Sequence, residues 1–283
     1  MDKLKRFYLK SILLCTFLFW FEGQTFGQTN CQALFEKDSP EYCACMLIYG
    51  GDAIKGKARY QGSKESQALC DSAIMLFPSF ADSYYIKAIP FLKRGEFGLW
   101  KTIIDKAVEY DSLLYLGYRG GAQFMFLRNY EGAIKDIETL KSIYKSDIGA
   151  IYNGEYHLEI IRSLSYKGLG DTIQAIKILE DHIIEYEAGL YGYYHLGVMY
   201  FEENRYLDAI KTFLKQSASY DFADLNYFIG LSYKNIGEDD KYKKAIQKAY
   251  DLYLEGRMLC GNGSFMDYPD KVYLKQIKKA MIQ

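Results

Sequence analysis

The chain has 283 residues, 49% of them hydrophobic and 25% charged, a composition that supports a packed core and excludes a disordered polymer. A formal net charge of −1 gives no electrostatic case for nucleic acid, so no nucleic-acid partner is expected. Only 4 prolines interrupt the chain, which permits long helices, and 28 tyrosines require an explanation.

The first element is "MDKLKRFYLK", basic through Lys3, Lys5, Arg6 and Lys10, followed by the 11-residue apolar run "SILLCTFLFWF" and then the small residues Thr25 and Gly27. A basic start, a short apolar stretch and a small-residue site mark a secretory signal, predicted over residues 1–27, with export to the periplasm or cell envelope. The run is shorter than the roughly 20 residues that span a bilayer. An uncleaved signal anchor is the alternative. Neither Cys15 nor Cys31 follows a small residue, as a lipidated cysteine would.

Residues 28–80 are predicted to form an N-terminal cap and a degenerate repeat, with a second helix in "SQALCDSAIMLFPSF" ending at Pro78. Cys31, Cys43, Cys45 and Cys70 cluster here, with Cys260 far away. In an oxidising compartment one bridge could staple the cap. The other reading is that these are small buried apolar side chains. No histidine lies among them and C-A-C is not a structural zinc spacing, so no metal site is expected.

Residues 81–255 carry a recurrence. A small residue stands at Ala88, Gly121, Ser163, Gly197 and Gly230, with separations of 33, 42, 34 and 33. Twelve positions later come Trp100, Ala133, Ala175, Ala209 and Tyr242. Three past the small residue is an aromatic (Phe91, Phe124, Tyr166, Tyr200, Tyr233), and seven past it a turn residue (Gly95, Arg128, Gly170, Asn204, Gly237). Four past the second column is an apolar residue: Ile104, Ile137, Leu179, Phe213 and Ile246.

A period near 34 with these columns resembles the tetratricopeptide repeat (TPR). The departures are Trp100 and Tyr242, where alanine is usual, and an eight-residue excess before the unit of Ser163, expected to lengthen that unit's first helix from about Asp147. The resemblance implies an all-α fold, a right-handed superhelical solenoid of antiparallel helix pairs. Small residues are expected where paired helices approach closely, with Gly197 and Ala209 at the contact and Tyr200, Tyr206 and Phe213 filling the space around it. Residues 256–283 are predicted to be a loop and capping helix, apolar through Val272, Leu274, Ile277 and Met281.

The resemblance also implies that the first helix of each unit lines a concave surface. The columns that project there include Tyr85, Tyr115, Tyr118, His157, Tyr191, Tyr194 and Tyr227, and these are the candidate partner-binding residues. Tyrosine offers rigid contact area and one hydroxyl. The alternative is that these rings pack between units or under the chain's own tails.

Chemistry is sparse. His182 is expected to be a buried structural histidine, and His195 shows no evident partner. No H-E-x-x-H, calcium loop, phosphate-binding glycine pattern or G-x-S-x-G occurs. Glu202, Glu203, Asp239 and Asp240 read as solvated helix ends, and Asn262–Gly263–Ser264 matches a glycosylation acceptor. No cofactor is expected. The leading expectation is an exported scaffold binding a protein or peptide along a tyrosine-lined face, without catalysis. The alternatives are a glycan- or small-ligand-binding accessory of the envelope and an enzyme using Cys43 or Cys45 as thiols.

Overall fold

The computed structural model describes residues 30–50, 60–151, 156–185, 190–259 and 268–282. The predicted signal at 1–27, Cys260 and the 262–264 motif lie outside these residues. All regular elements among them are helices, except for one isolated antiparallel bridge between Ala150 and His157. No described helix is long and apolar enough to cross a membrane. The chain divides after Ser83 into two compact units.

The first unit holds α1 (Cys31–Leu34), α2 (Pro40–Tyr49), α3 (Lys64–Leu76) and the opening residues of α4 (Ala81–Lys93). The Ser39 hydroxyl caps α2 by accepting the Tyr42 amide at 3.0 Å, and Ser63 caps α3 through the Ser66 amide at 3.1 Å. Two short helices cannot bury much surface between them. A Cys31–Cys45 disulfide ties α1 to α2, and Ala44, Ala73 and Phe80 close a small core with Phe35 and Phe77. Of the two readings of the cysteines, the bridge holds for this pair, while Cys70 is a buried side chain.

The second unit continues from Tyr84 through α5 (Phe97–Tyr110), α6 (Ser112–Leu127), α7 (Tyr130–Ile143), α8 (Leu158–Gly168), α9 (Thr172–Glu185), α10 (Gly192–Glu202), α11 (Tyr206–Ser219), α12 (Ala223–Asn235), α13 (Asp239–Leu254) and α14 (Leu274–Met281). The helices α6/α7, α8/α9, α10/α11 and α12/α13 pack as sequential antiparallel pairs. Each second helix also packs on the first helix of the next pair, and the first helices α6, α8, α10 and α12 touch in succession. A pair leaves one face apolar, and its neighbour covers it.

The turn column has one physical cause. Gly95, Arg128, Gly170, Asn204 and Gly237 all sit at positive φ, between 52° and 86°. A left-handed residue lets the chain reverse at once and sends the next amide back to an orphan helix carbonyl. Glu96 donates to the Phe91 carbonyl, Asp171 to Tyr166, Arg205 to Tyr200 and Glu238 to Tyr233, at 2.8–3.0 Å. These acceptors belong to the aromatic column, so two columns read from sequence describe one helix-ending motif.

At Gly197 and Gly230 the small column marks a close approach within a pair, and in α6 the neighbouring Gly120 takes that place, facing Ile137 at 3.3 Å. A Cβ on Gly197 would lie 2.5 Å from the Phe213 ring, and one on Gly230 would lie 2.7 Å from the Ile246 Cδ1. The glycine therefore faces the apolar residue four beyond the alanine column. A Cβ on Gly197 would first meet Phe213, one of the residues expected to fill the space around the contact, and Ala209 is fully buried. In the unit of Ser163 the hydroxyl donates to the Ala175 carbonyl at 2.7 Å.

The eight-residue excess does not lengthen α8. That helix starts at Leu158, capped by His157, and Ala150 pairs with His157 in an isolated antiparallel bridge before it. Ile151 N–H donates to Tyr156 O at 2.8 Å and Leu158 N–H to Gly149 O at 2.9 Å, with Gly149 at φ 71°. Ile151 fills the space over Gly121, where a Cβ would meet its Cγ2 at 2.8 Å. The C-terminal α14 packs on α13, burying Val272, Ile277 and Ala280, whereas Met281 is exposed.

Replacing Gly197 with alanine should lower stability by about 1–2 kcal/mol in urea unfolding, because a rigid ring opposes the new methyl. Gly230→Ala should be close to neutral, since a flexible isoleucine tip can turn away and helix propensity improves by about 1 kcal/mol. Arg128→Gly should raise stability by about 0.5–1 kcal/mol by relieving the left-handed conformation.

Candidate functional site

The first helices are where the chain brings polar groups together. His195 stands in the otherwise apolar run of α10 and is fully buried. A buried imidazole needs partners. Its Nδ1–H donates to the Asp270 carboxylate at 2.8 Å, and its Nε2 lies 3.0 Å from the Tyr156 hydroxyl. Lys167, near the end of α8, donates to the other Asp270 oxygen at 2.7 Å and pairs with Glu202 at 2.9 Å. Glu202 is thus a member of an ion-pair chain rather than a purely solvated helix end.

Residues 268–273 run past these groups before α14 begins. The Tyr268 ring stacks on Tyr156 with centroids 5.6 Å apart and planes 9° from parallel. The Tyr194 hydroxyl donates to the Asp270 backbone carbonyl at 2.5 Å. Asp224 of α12 accepts the Leu259 and Val272 amides at 2.9 and 2.6 Å. Burial pushes the Asp270 carboxyl up, but the His195 hydrogen bond and the Lys167 charge outweigh it and hold the group at about 2. At Asp224 burial wins over the two amide donors, and its carboxyl is raised.

The candidate residues fall into separate settings. Tyr85, Tyr115 and Tyr118 come together, with Tyr85 centroids 5.0 Å from Tyr115 and 4.7 Å from Tyr118. Burial pushes the Tyr118 hydroxyl up to about 12, against the pull of the Trp100 side chain. Tyr191 packs on Tyr156 and Phe222, at 5.4 and 5.8 Å. Tyr194 contacts Phe222 at 5.0 Å, and Tyr227 contacts Phe228 at 5.5 Å. His157 caps α8, accepting the Glu159 amide at 3.1 Å, meets Asp147 at 2.7 Å and stacks on His182 at 4.2 Å.

Tyr85, Tyr115, Tyr191 and Tyr194 are no more than 8% exposed, and of the candidate tyrosines Tyr118 and Tyr227 are half-buried. Rings on successive first helices meet one another, and residues 268–273 cover Tyr194. The alternative of packing between units and under the chain's own tail describes these four side chains. The sequence reading missed Tyr156, Lys167 and Asp270, and left His195 unpartnered. A histidine inside an apolar run was the one local signal.

Among the described residues no group of three His, Cys, Asp or Glu side chains is placed to hold a metal. Cys45 is spent in the disulfide, which removes it as a catalytic thiol, and Cys43 is half-buried. Both oxygens and the carbonyl of Asp270 are engaged, an arrangement that fixes a chain segment in place.

No protein-family model matches the sequence, and no curated protein matches it either. Solved structures do match. A Pseudomonas aeruginosa pilF structure aligns with TM-score 0.58 at 15% identity over 76% of this chain and 94% of that one. PilW, described as a widely conserved type IV pilus biogenesis factor, aligns with TM-score 0.55 at 12% identity over 75% and 90%. A tetratricopeptide repeat protein from Parabacteroides merdae gives 0.52 at 16% over 89% and 90%. At these identities the likeness shows the fold: sequential antiparallel helix pairs of the tetratricopeptide-repeat kind.

Asp270 is depressed from 3.8 to about 2, so its contribution is present above about pH 4 and is lost as pH falls through about 2. Asp270→Asn should cost about 2 kcal/mol at pH 7 in chemical unfolding and flatten the acid limb between pH 4 and pH 2.

Proposed function

We propose that the protein is an exported, non-catalytic scaffold that binds a peptide or protein segment on the face formed by its first helices. The observation that carries this reading is the face itself: α8, α10 and α12 already hold an irregular stretch of polypeptide, residues 268–273, by side-chain contacts. A surface that grips its own non-helical chain has the donors and aromatic faces to grip another. Repeat stacks of this kind offer extended binding surfaces rather than closed reaction sites.

The half-buried tyrosines, Tyr118 and Tyr227, are the members of the predicted face with surface left to offer. Export is supported by the Cys31–Cys45 disulfide, since such bonds persist in oxidising compartments.

Crosslinking and affinity purification from the native cell envelope should recover a specific partner. Tyr118→Ser together with Tyr227→Ser should reduce its recovery at least ten-fold with helical content unchanged. Undiminished recovery removes these rings from the binding face, and no specific partner removes the scaffold reading. N-terminal sequencing of the mature protein should begin at Gln28; a chain still starting at Met1 in the cytoplasmic fraction refutes export.

A further inference from the structure

The residues around position 270 make contacts of two kinds. On the flanks the chain is anchored to α12 and α13. Asp224 holds the Leu259 and Val272 amides, and Val272, Ile277 and Ala280 are buried with Tyr242 and Ile246. Between these anchors, Tyr268 and Asp270 face groups from the α8 and α10 region instead.

That contact has the chemistry of a bound ligand. The Tyr156 ring takes an aromatic face. Lys167 and His195 each donate to one oxygen of a carboxylate, and the Tyr194 hydroxyl reads the main-chain carbonyl of the same residue. An amide in place of that carboxylate would give up the negative charge that Lys167 meets, and its N–H would oblige His195 to accept through the opposite ring tautomer. Asp270 itself is at φ 64°, a left-handed conformation that glycine takes freely and that aspartate takes less readily. The chain's own occupant is therefore strained at the residue that makes the most contacts. The flanking contacts to α12 and α13 use no atom of Asp270.

Resting on the scaffold reading, we infer that Tyr156, Lys167, Tyr194 and His195 form a recognition site for a partner segment carrying an aromatic residue two positions before an aspartate. Tyr268–Pro269–Asp270 is the chain's own copy of that ligand, and the partner displaces it. The tethered copy has a high local concentration, so it screens out weak competitors. Apparent affinity for the partner is reduced by the fraction of molecules with the site open.

The probe is a labelled synthetic peptide with the sequence of residues 266–271, MDYPDK, titrated by fluorescence anisotropy into the full chain. A Tyr268→Ala, Asp270→Ala double variant should bind it at least ten-fold more tightly than the wild type does. Adding Lys167→Ala should abolish the gain, and a control peptide with asparagine in place of the second aspartate should not bind. Equal binding to wild type and double variant, or no binding to a folded double variant, overturns the proposal.

Amide hydrogen exchange on the wild-type protein reads the same point without mutation. Lys271 should exchange through a local opening at least ten-fold faster than the α14 amides, and exchange only on global unfolding overturns the inference. A wild-type dimer that dissociates in Asp270→Ala would make the occupant a second copy of this chain and overturn the assignment to a partner. The peptide assay needs no native partner. If it fails while envelope crosslinking succeeds, the scaffold reading stands and only this site falls.

Discussion

Where Gly197 meets the ring of Phe213 there is no room for one more carbon, and the second unit is built around contacts of that kind. Two helices can share a core only if their axes come close, and closeness demands a missing side chain on one side and a filling one on the other. Gly230 and Ile246 repeat the arrangement, and Ser163 varies it by sending its hydroxyl to the Ala175 carbonyl. The left-handed turn that follows each first helix then delivers the second helix in register. Small residue, aromatic and turn residue are three readings of one geometrical demand.

This is why the helix pairs were legible in the sequence. Arg128 and Asn204 stand in the turn column although neither is glycine, and both take the left-handed conformation that the column requires. The bridge between Ala150 and His157 was not legible from repeat spacing, which registers extra residues without saying what they form. The preceding helix has already ended at Ile143, and Gly149 sits at positive φ between it and the start of α8. For the tyrosine columns the difficulty is of another kind. Periodicity assigns Tyr194 to a face of α10, but what covers that face is set by residues far along the chain. His195 and Asp270 are 75 positions apart, and no local pattern encodes their meeting.

The polar cluster around Asp270 also shows how a greasy stack accommodates charge. Lys167, Glu202, Asp270, His195 and Tyr156 form a continuous chain of contacts in which each donor has an acceptor. Such a network is costly when half satisfied, so it favours a segment that completes it. In the first unit the Cys31–Cys45 bond plays the corresponding part, holding together helices too short to secure one another.

Residues 268–273 follow in the chain all the first helices that they touch. During synthesis His195 is therefore made 75 residues before the carboxylate that neutralises its surroundings. At ribosomal rates of 5–20 residues per second, that is an interval of roughly 4–15 s. Until those last residues arrive, the imidazole of His195 and the rings of Tyr156 and Tyr194 lack the cover that this segment gives them.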